Sequence, residues 1–356
     1  MDEKSSTLVF LPHSKESLMM SEADKKAHRW VKFRRFTLPY VYLLPAFIVM
    51  AFITFYPLIY QVIISFTDFQ LKDLMFGLES PNLNQVGFKN YIDIFTNALP
   101  VQNFEFLRIL TYNFWWAISN VALHVPAGVV IAVLLNTPGL WGKRIYRAVY
   151  ILPVVIPPIV VATVWRNIFH EQYGAMNQFL TAIMELLGST DPVRLRWLES
   201  FAPPIKWLLP NSPLPLAYYA MMIANFWLGW PFMTLVATGA LQSIPKDLYE
   251  AASIDGASNT QQFWNITVPL LKTAMIPASV YGFTLSFNLF AFVFFFTGGG
   301  PARSTEILVT FAYDLVRNLN LFGVAAAFAV IVFFVALFVF LVTNRITRAT
   351  ESYTEA

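Results

Sequence analysis

Cysteine is absent from this chain of 356 residues, and charged residues make up only 13% of it. Without cysteine the protein forms no disulfide, no thiolate metal site and no cysteine nucleophile. The chain has no Gly-x-x-x-x-Gly-Lys-Ser/Thr sequence, so it lacks the phosphate-binding loop that holds ATP. Its four histidines are too scattered for a metal site, and no nucleophile–base–acid set indicates an enzyme. We therefore expect no catalytic residues and no metal site.

Apolar residues dominate instead, at 57% of the chain, with 34 phenylalanines and 10 tryptophans. Soluble domains carry about 25% charged residues. A helix needs about 20 mostly apolar residues to cross a bilayer, where its backbone must pair internally. Six runs qualify: Leu38–Phe66, Asn113–Leu135, Ala148–Phe169, Pro215–Leu241, Ala274–Phe296 and Phe322–Val342. We predict an all-α membrane protein of about six transmembrane helices over residues 38–343, between a polar arm (1–37) and a tail (344–356).

Lysine and arginine lie mainly on one side of these predicted spans. The residues are Lys25, Lys26, Arg29, Lys32, Arg34, Arg35, Lys143, Arg144, Arg147, Arg345 and Arg348. The loops on the opposite side are longer, less basic and richer in aspartate and glutamate. Because cytoplasmic loops carry the excess of basic residues, both termini and the loop between spans four and five are expected in the cytoplasm.

That cytoplasmic loop, segment 243–270, carries the signals of two short helices. Pro245 suits a first helical position, and the good helix formers Lys246–Ile254 follow it. Gly256 stands where a left-handed helix cap is expected. Ser258 and Gln261 have the spacing of a capping box that starts a second helix. The segment is predicted to be a compact knob of two short helices joined at Gly256.

The same segment contains a recognisable motif. Glu250-Ala251-Ala252 is followed by Gly256 and then by Ile266-Thr267-Val268-Pro269, where Pro269 marks the predicted return into the membrane. This spacing resembles the Glu-Ala-Ala motif of permease subunits of ATP-binding-cassette (ABC) importers, with Val268 in place of a leucine. Three further stretches resemble the carbohydrate-importer branch of that family: Gly239–Ser258, Gly87–Tyr91 and Thr297–Pro301. Asn225–Phe232 is similar to a permease of maltose importers.

The resemblance implies the ABC importer permease fold in the cytoplasmic (inner) membrane, with segment 243–270 as a coupling helix that contacts an ATPase. The implied contact residues are Glu250, Ala251, Ala252, Asp255, Gly256, Ile266 and Pro269. The implied partners are a second permease subunit in a heterodimer, an ABC ATPase dimer and membrane lipid. An extracytoplasmic sugar-binding protein would dock on Pro192–Pro213 and Gly298–Pro301. The chain would hold no cofactor, since ATP and magnesium would bind the ATPase, and no nucleic-acid partner is expected.

Polar and aromatic residues on two predicted spans suggest the substrate path. The candidates are Asn225, Gly229 and Phe232 on the fourth span and Gly282, Leu285 and Ser286 on the fifth. The resemblance implies that similar positions line the sugar site of maltose-type permeases, and an aromatic wall with a few polar groups suits a sugar. Helix packing is the alternative, because small residues favour helix interfaces. His124 is intramembrane and thus a functional candidate, although a hydrogen bond to a neighbouring helix is favoured.

Two other functions are considered. A secondary transporter often shows inverted repeats and ionisable pairs inside the membrane, and neither is found in the sequence. An ABC importer of another cargo, such as glycerol phosphate, would be expected to place arginine or lysine in the path. The predicted fourth and fifth spans contain neither residue. A maltose- or maltodextrin-like oligosaccharide importer is therefore the favoured function.

Overall fold

The computed structural model describes residues 22–81, 83–137, 139–201 and 214–347. The chain divides into two units, Met1–Ile63 and Ile64–Ala356. In the first unit, helix α1 (Glu22–Met50) passes through a π-helical turn (Ala51–Phe55) into helix α2 (Tyr56–Ile64). The apolar stretch Phe36–Ile64 is long enough to cross a membrane, as predicted for the first span.

The second unit is built almost entirely from helices. Two short 3₁₀ turns, Leu71–Asp73 and Gly77–Glu79, precede the main helices. These are α3 (Lys89–Phe95), α4 (Phe106–Asn136), α5 (Lys143–Val155), α6 (Pro158–Ile168), α7 (Ala175–Leu186), α8 (Leu216–Ser243), α9 (Lys246–Ile254), α10 (Asn259–Gln262), α11 (Val268–Phe287), α12 (Phe290–Phe296), α13 (Leu308–Arg317) and α14 (Phe322–Thr347). The predicted all-helical fold class is confirmed.

Five helical stretches in the described residues are long and apolar enough to cross a membrane, or six if one bent pair counts as a span. The second, fourth and sixth predicted spans correspond to Phe106–Asn136, Leu216–Ser243 and Phe322–Arg345. The second begins earlier than predicted because Phe106, Ile109 and Tyr112 already face the core. About six spans were expected, and the structure agrees.

The third predicted span, Ala148–Phe169, lies within a bent pair of helices that begins earlier than predicted, at Lys143. The helices α5 and α6 meet at an angle of 96°. Pro157-Pro158 lies at the break, and proline both lacks an amide donor and disfavours a helical residue before it. Ile156 and Pro157 accordingly adopt ψ values of 125° and 138°, and Pro158 starts the next helix. The two prolines therefore break this span.

The fifth predicted span, Ala274–Phe296, is also wrong in its bounds. The helical stretch begins at Asn259 and ends at Phe287. A π-helical turn, Phe263–Thr267, carries the helix from α10 into α11 without a break. Lys272 therefore lies inside this span, contrary to the expectation that it holds no basic residue. After Phe287 the helix is interrupted, and α12 is a separate short helix.

The helix pair α4 and α8 forms the centre of the second unit, and α5, α6 and α11 pack against α8. At one end Trp116, Phe292 and Phe296 are fully buried. In a second aromatic cluster, Phe311 of α13 packs edge-on against Phe328 of α14, with ring centroids 4.9 Å apart. These aromatic clusters hold the spans in a fixed register around α4.

Asn113 on α4 fixes the interruption after α11. Its Nδ2 donates to the carbonyl of Phe287 at 3.1 Å, and its Oδ1 accepts from the amide of Leu308 at 2.8 Å. Asn113 is fully buried. One side chain therefore pairs a carbonyl at the end of α11 and an amide at the start of α13, two backbone groups that would otherwise be unsatisfied inside the protein.

Replacing Asn113 with leucine is expected to destabilise the protein. The change leaves the Phe287 carbonyl and the Leu308 amide without this partner, and each such loss costs about 1–3 kcal/mol. Thermal unfolding in detergent measures the effect. Thr111→Val is the matched control, because Thr111 is exposed on the same helix and its hydroxyl bonds only to Leu107 and Arg108 of that helix. Equal unfolding temperatures for the two variants would contradict the role of Asn113.

Candidate coupling helix and substrate path

The helix α9 of segment 243–270 has the bounds predicted from the sequence, Lys246–Ile254. Pro245 is the residue before the helix, with φ −59° and ψ 133°, and not its first helical residue as predicted. Gly256 has φ +81°, the left-handed conformation that glycine adopts without strain. Its amide donates to the carbonyl of Ser253 at 3.1 Å. Gly256 therefore ends α9 as the sequence predicted.

The capping box is confirmed, but the helix it starts is not a short one. The amide of Ser258 donates to Gln261 Oε1 at 2.8 Å, and the amide of Gln261 donates to Ser258 Oγ at 3.4 Å. From Asn259 the helix continues through Ile266 and Pro269 to Phe287. The predicted knob of two short helices is therefore wrong: α9 is joined by one turn to the transmembrane helix itself.

Two hydrogen bonds fasten α9 to the start of that transmembrane helix. The hydroxyls of Tyr249 and Thr267 lie 3.0 Å apart. Gln262 Nε2 donates to Ser253 Oγ at 2.8 Å. Both bonds join α9 to the helical stretch Asn259–Phe287.

One surface of α9 has no neighbour within the described residues. Glu250, Ala251, Asp255 and Gly256 are exposed, and Ala252 is half-buried. Neither Glu250 nor Asp255 forms a salt bridge in the described part of the chain. Small side chains beside exposed carboxylates leave room for close approach by a partner that carries positive charge.

The candidate path residue Asn225 lies inside a hydrogen-bonded clasp between α4 and α8. Its Nδ2 donates to Asn120 Oδ1 at 2.5 Å, and Asn120 Nδ2 donates to the Trp116 carbonyl at 2.7 Å. His124 Nε2 donates to the Asn225 carbonyl at 3.0 Å. The predicted hydrogen bond of His124 to a neighbouring helix is confirmed. Asn120 was missed, although its spacing four residues before His124 places both on one helical face.

Gly229 provides the space for the imidazole of this clasp. A Cβ added at Gly229 would lie 2.0 Å from His124 Cε1, closer than any real contact. Gly282 is similarly tight, with such an atom 2.5 Å from Met233 Cε. Ser286 is buried as well, whereas Phe232 is half-buried and Leu285 is 48% exposed. Asn225, Gly229, Gly282 and Ser286 thus contribute to packing within this chain, and Phe232 and Leu285 reach its surface.

The sequence matches the family described as "Binding-protein-dependent transport system inner membrane component" over residues 124–351, which includes His124, Asn225 and α9. The chain belongs to this family. This permease is 31% identical to the galactooligosaccharides transport system permease protein GanP of Bacillus subtilis, over 89% of this chain and 71% of that protein. It is 30% identical to the maltodextrin transport system permease protein MdxF of the same organism, over 87% and 69%.

The permease also matches the maltose/maltodextrin transport system permease protein MalF of Escherichia coli, at 31% identity over 74% of this chain. The chain spans about half the length of that protein, 49%. Among solved structures, it is similar to a chain of a bacterial ABC transporter involved in alginate import, with a TM-score of 0.68, 20% identity and coverage of 91% of this chain and 100% of that one. This similarity shows the fold. The permease is a membrane transport component and not an enzyme.

The described residues contain no group of three histidine, aspartate or glutamate side chains placed to hold a metal ion. Members of this family are permeases that carry no cofactor of their own.

The loop after α12 in this permease is organised around Arg303. Its Nη1 donates to both carboxylate oxygens of Glu306 at 2.9 and 3.0 Å, and its Nη2 donates to Asp314 Oδ2 at 2.6 Å. The Arg303 Nε donates to the Gln102 carbonyl at 3.1 Å. Glu306 is buried outside the spans, and this burial raises the pKa of its carboxyl to about 7, although the guanidinium of Arg303 opposes the rise.

This raised pKa predicts that the permease loses stability as the pH rises. The folded-state pKa of Glu306, about 7, exceeds the ordinary value of 4.5, so the folded state binds more protons between these values. The stabilisation that protonated Glu306 contributes to the folded state is fully present below about pH 4.5 and is lost as the pH rises through about 7. Glu306→Gln should reduce this pH dependence, measured as the unfolding temperature at about pH 5 and about pH 8. Glu199→Gln, at an exposed glutamate, is the control; an unchanged pH dependence in Glu306→Gln would contradict the assignment.

Proposed function

We propose that this chain is one of two different permease subunits of an ATP-driven importer of oligosaccharides, with maltodextrin-like sugars as the favoured cargo. A separate ATPase dimer would bind ATP and magnesium and would contact α9. The observation that carries the proposal is α9 itself: an exposed helix with a Glu-Ala-Ala sequence, joined by one turn and two hydrogen bonds to a transmembrane helix. This geometry suits transmission of movement from an ATPase to the span.

The proposed contact residues divide into two groups. Glu250, Ala251, Ala252, Asp255 and Gly256 are accessible or partly accessible to a partner on α9 and its cap. Ile266 is half-buried in the π-helical turn, and Pro269 is exposed near the start of α11. We assign the first group to direct contact with the ATPase, and the second to the shape of the helix that α9 is fastened to.

The cargo assignment is supported by the relatives. Those described above are named for galactooligosaccharide, maltodextrin and maltose/maltodextrin transport. A second structural neighbour, at 21% identity, is an alginate transporter in complex with a periplasmic protein that binds an alginate pentasaccharide. Glycerol phosphate remains the alternative cargo, and Lys272 is the basic residue that the fifth span could offer a phosphate.

The proposed orientation places α9 and both termini in the cytoplasm. Lys143 and Arg144 at the start of α5 support it, because basic residues favour that side. The opposite side would receive the sugar-binding protein on the loops that include Pro192–Phe201 and Gly298–Pro301. Residues 1–21, 202–213 and 348–356, which belong to the predicted arm, docking loop and tail, lie outside the described residues.

Purification of the tagged permease from its native membrane tests this proposal. Mass spectrometry is expected to identify a second permease and an ATPase with a phosphate-binding loop among the co-purifying chains. The complex, reconstituted in liposomes with its binding protein, should import maltotriose only when ATP is present. Uptake by this chain alone without ATP would instead establish a secondary transporter, and ATP-driven uptake of glycerol phosphate but not of sugars would establish the alternative cargo.

A further inference from the structure

Helix α7, which lies between the third and fourth spans, exposes large apolar side chains. They are Phe179, Ile183, Leu186 and, directly after the helix, Leu187. Their spacing of i, i+4, i+7 and i+8 places all four on one helical face, which we call the α7 stripe. Leu186 is 87% exposed and Leu187 is 76% exposed, so no other described part of the chain covers this end of the stripe. A contiguous apolar surface of this kind marks an interaction site.

The other two sides of α7 differ from the stripe. One side packs onto the protein, where Asn177 is buried and Leu180 and Thr181 are half-buried. The remaining side is exposed and polar, with Gln178 and Glu185 at a spacing of i and i+7. A helix between a protein core and water needs only one apolar side and one polar side. The stripe is a second apolar side, and it requires an apolar environment other than the core.

Both ends of the segment that contains α7 are held at the ends of membrane helices. A Cβ added at Gly174, just before α7, would lie 2.5 Å from the Ile168 carbonyl oxygen, so α7 starts in direct contact with the last turn of α6. Beyond α7, the Leu216 amide donates to the Ser200 carbonyl at 3.2 Å. Leu216 starts the membrane-crossing stretch Leu216–Ser243, and α9 follows the other end of that stretch. The segment therefore lies at the membrane surface opposite α9.

Asn177 fixes the rotation of α7 about its own axis. Its Nδ2 donates to the carbonyls of Glu171 at 2.8 Å and Leu195 at 3.0 Å, and its Oδ1 accepts from Trp197 Nε1 at 2.8 Å. The Trp197 ring packs against Phe169, the residue directly after α6, with ring centroids 5.0 Å apart. A buried side chain thus sets which side of α7 faces the protein, and the stripe points away from the residues that hold the helix.

We propose that α7 lies in the interface of the bilayer, with the α7 stripe among the upper acyl chains of the phospholipids and with Gln178 and Glu185 in water. Interfacial helices bury their apolar face about 5–10 Å into the boundary between headgroups and acyl chains. The contact of α7 with the end of α6 places the helix at this boundary. Interfaces between proteins carry about one hydrogen bond per 100–200 Å², whereas the stripe side chains have no group that forms one. The proposal does not depend on the cargo.

Two pairs of neighbouring residues on α7 test the proposal. Phe179→Cys and Leu186→Cys place a thiol in the stripe, and Gln178→Cys and Glu185→Cys are the matched controls one residue away. The chain has no cysteine of its own, so the wild-type complex measures the labelling of its partner chains. Each variant is purified with these chains, labelled with a thiol-reactive fluorophore and reconstituted in nanodiscs of phosphatidylcholine and phosphatidylglycerol. Quenching by iodide in the water is compared with quenching by phospholipid brominated on its acyl chains.

Brominated phospholipid is expected to quench the labels at positions 179 and 186 several-fold more strongly than those at 178 and 185, and iodide should give the reverse order. Equal quenching by iodide at all four positions would place the stripe in water and overturn the proposal. Labels at 179 and 186 that neither quencher reaches would also overturn it, since another protein chain would then cover the stripe. Because each comparison joins adjacent residues of one exposed helix, a general loss of folding cannot produce the expected alternation.

Discussion

Glu250→Lys is expected to abolish sugar uptake by the importer while leaving insertion of the permease in the membrane intact. The Glu250 side chain is exposed on α9 and forms no salt bridge in the described residues, so the lysine disturbs nothing within the permease. It would instead place a positive charge against the partner surface that the carboxylate contacts. Disrupting a buried interfacial charge pair costs about 2–5 kcal/mol, so uptake should fall by roughly 30-fold or more.

A second variant tests the same coupling through the backbone. Gly256→Pro cannot adopt φ +81°, and it removes the amide that donates to Ser253. The turn between α9 and the fifth span should then be lost, and uptake with it. Glu185→Lys, on the exposed surface of α7, is the control for charge reversal elsewhere. Undiminished ATP-driven uptake in Glu250→Lys or Gly256→Pro, at normal membrane levels, would refute the coupling role of α9.

Gly229→Ala is the second change for which a large effect is expected. The added methyl would lie 2.0 Å from His124 Cε1, so α4 and α8 must separate or the imidazole must move. Either change weakens the hydrogen bond of His124 to the Asn225 carbonyl. Overpacking of this kind costs about 1–3 kcal/mol, before any loss of hydrogen bonds is added. A lower unfolding temperature and reduced uptake are both expected.

Helix α8 also contains a control position, Gly239, and helix α4 contains the site of a compensating change, His124. A Cβ added at Gly239 meets nothing within 4 Å, so Gly239→Ala should not lower stability. His124→Ala makes room for the methyl at position 229, so the double variant Gly229→Ala/His124→Ala should be more stable than the sum of the two single changes predicts. If the stability changes of the two single variants simply add in the double variant, the imidazole does not occupy the space at Gly229.

Features set by local sequence were predicted well. Gly256 and the Ser258–Gln261 box were located correctly because a left-handed cap and a capping box depend on a few adjacent residues. The span at Leu216–Ser243 was found because its apolar run is long and continuous. Hydrophobicity was a poor guide to the start of the fifth span. The polar residues Asn259–Gln262 already belong to this helix, because the π-helical turn Phe263–Thr267 joins them to α11 without a break.

The geometry of the candidate site could not be predicted, because it depends on contacts between distant parts of the chain. The bonds of Asn120 to Asn225 and of Asn113 to Leu308 join residues 105 and 195 positions apart. No local pattern predicts such pairs, although an asparagine inside a membrane helix is itself a signal that a partner exists. Burial likewise decided which candidates face a neighbouring helix and which reach the surface. Gly282 and Leu285 lie three residues apart, yet one is buried and the other is exposed.

Site-specific photo-crosslinking is the decisive test of whether the exposed surface of α9 contacts an ATPase. A photoreactive amino acid replaces Glu250 in the full importer, and Glu185 in a control. Position 250 is expected to crosslink to a chain with a phosphate-binding loop, and position 185 is not. A transport-competent complex in which position 250 gives no ATPase adduct would contradict the proposed contact between α9 and the ATPase.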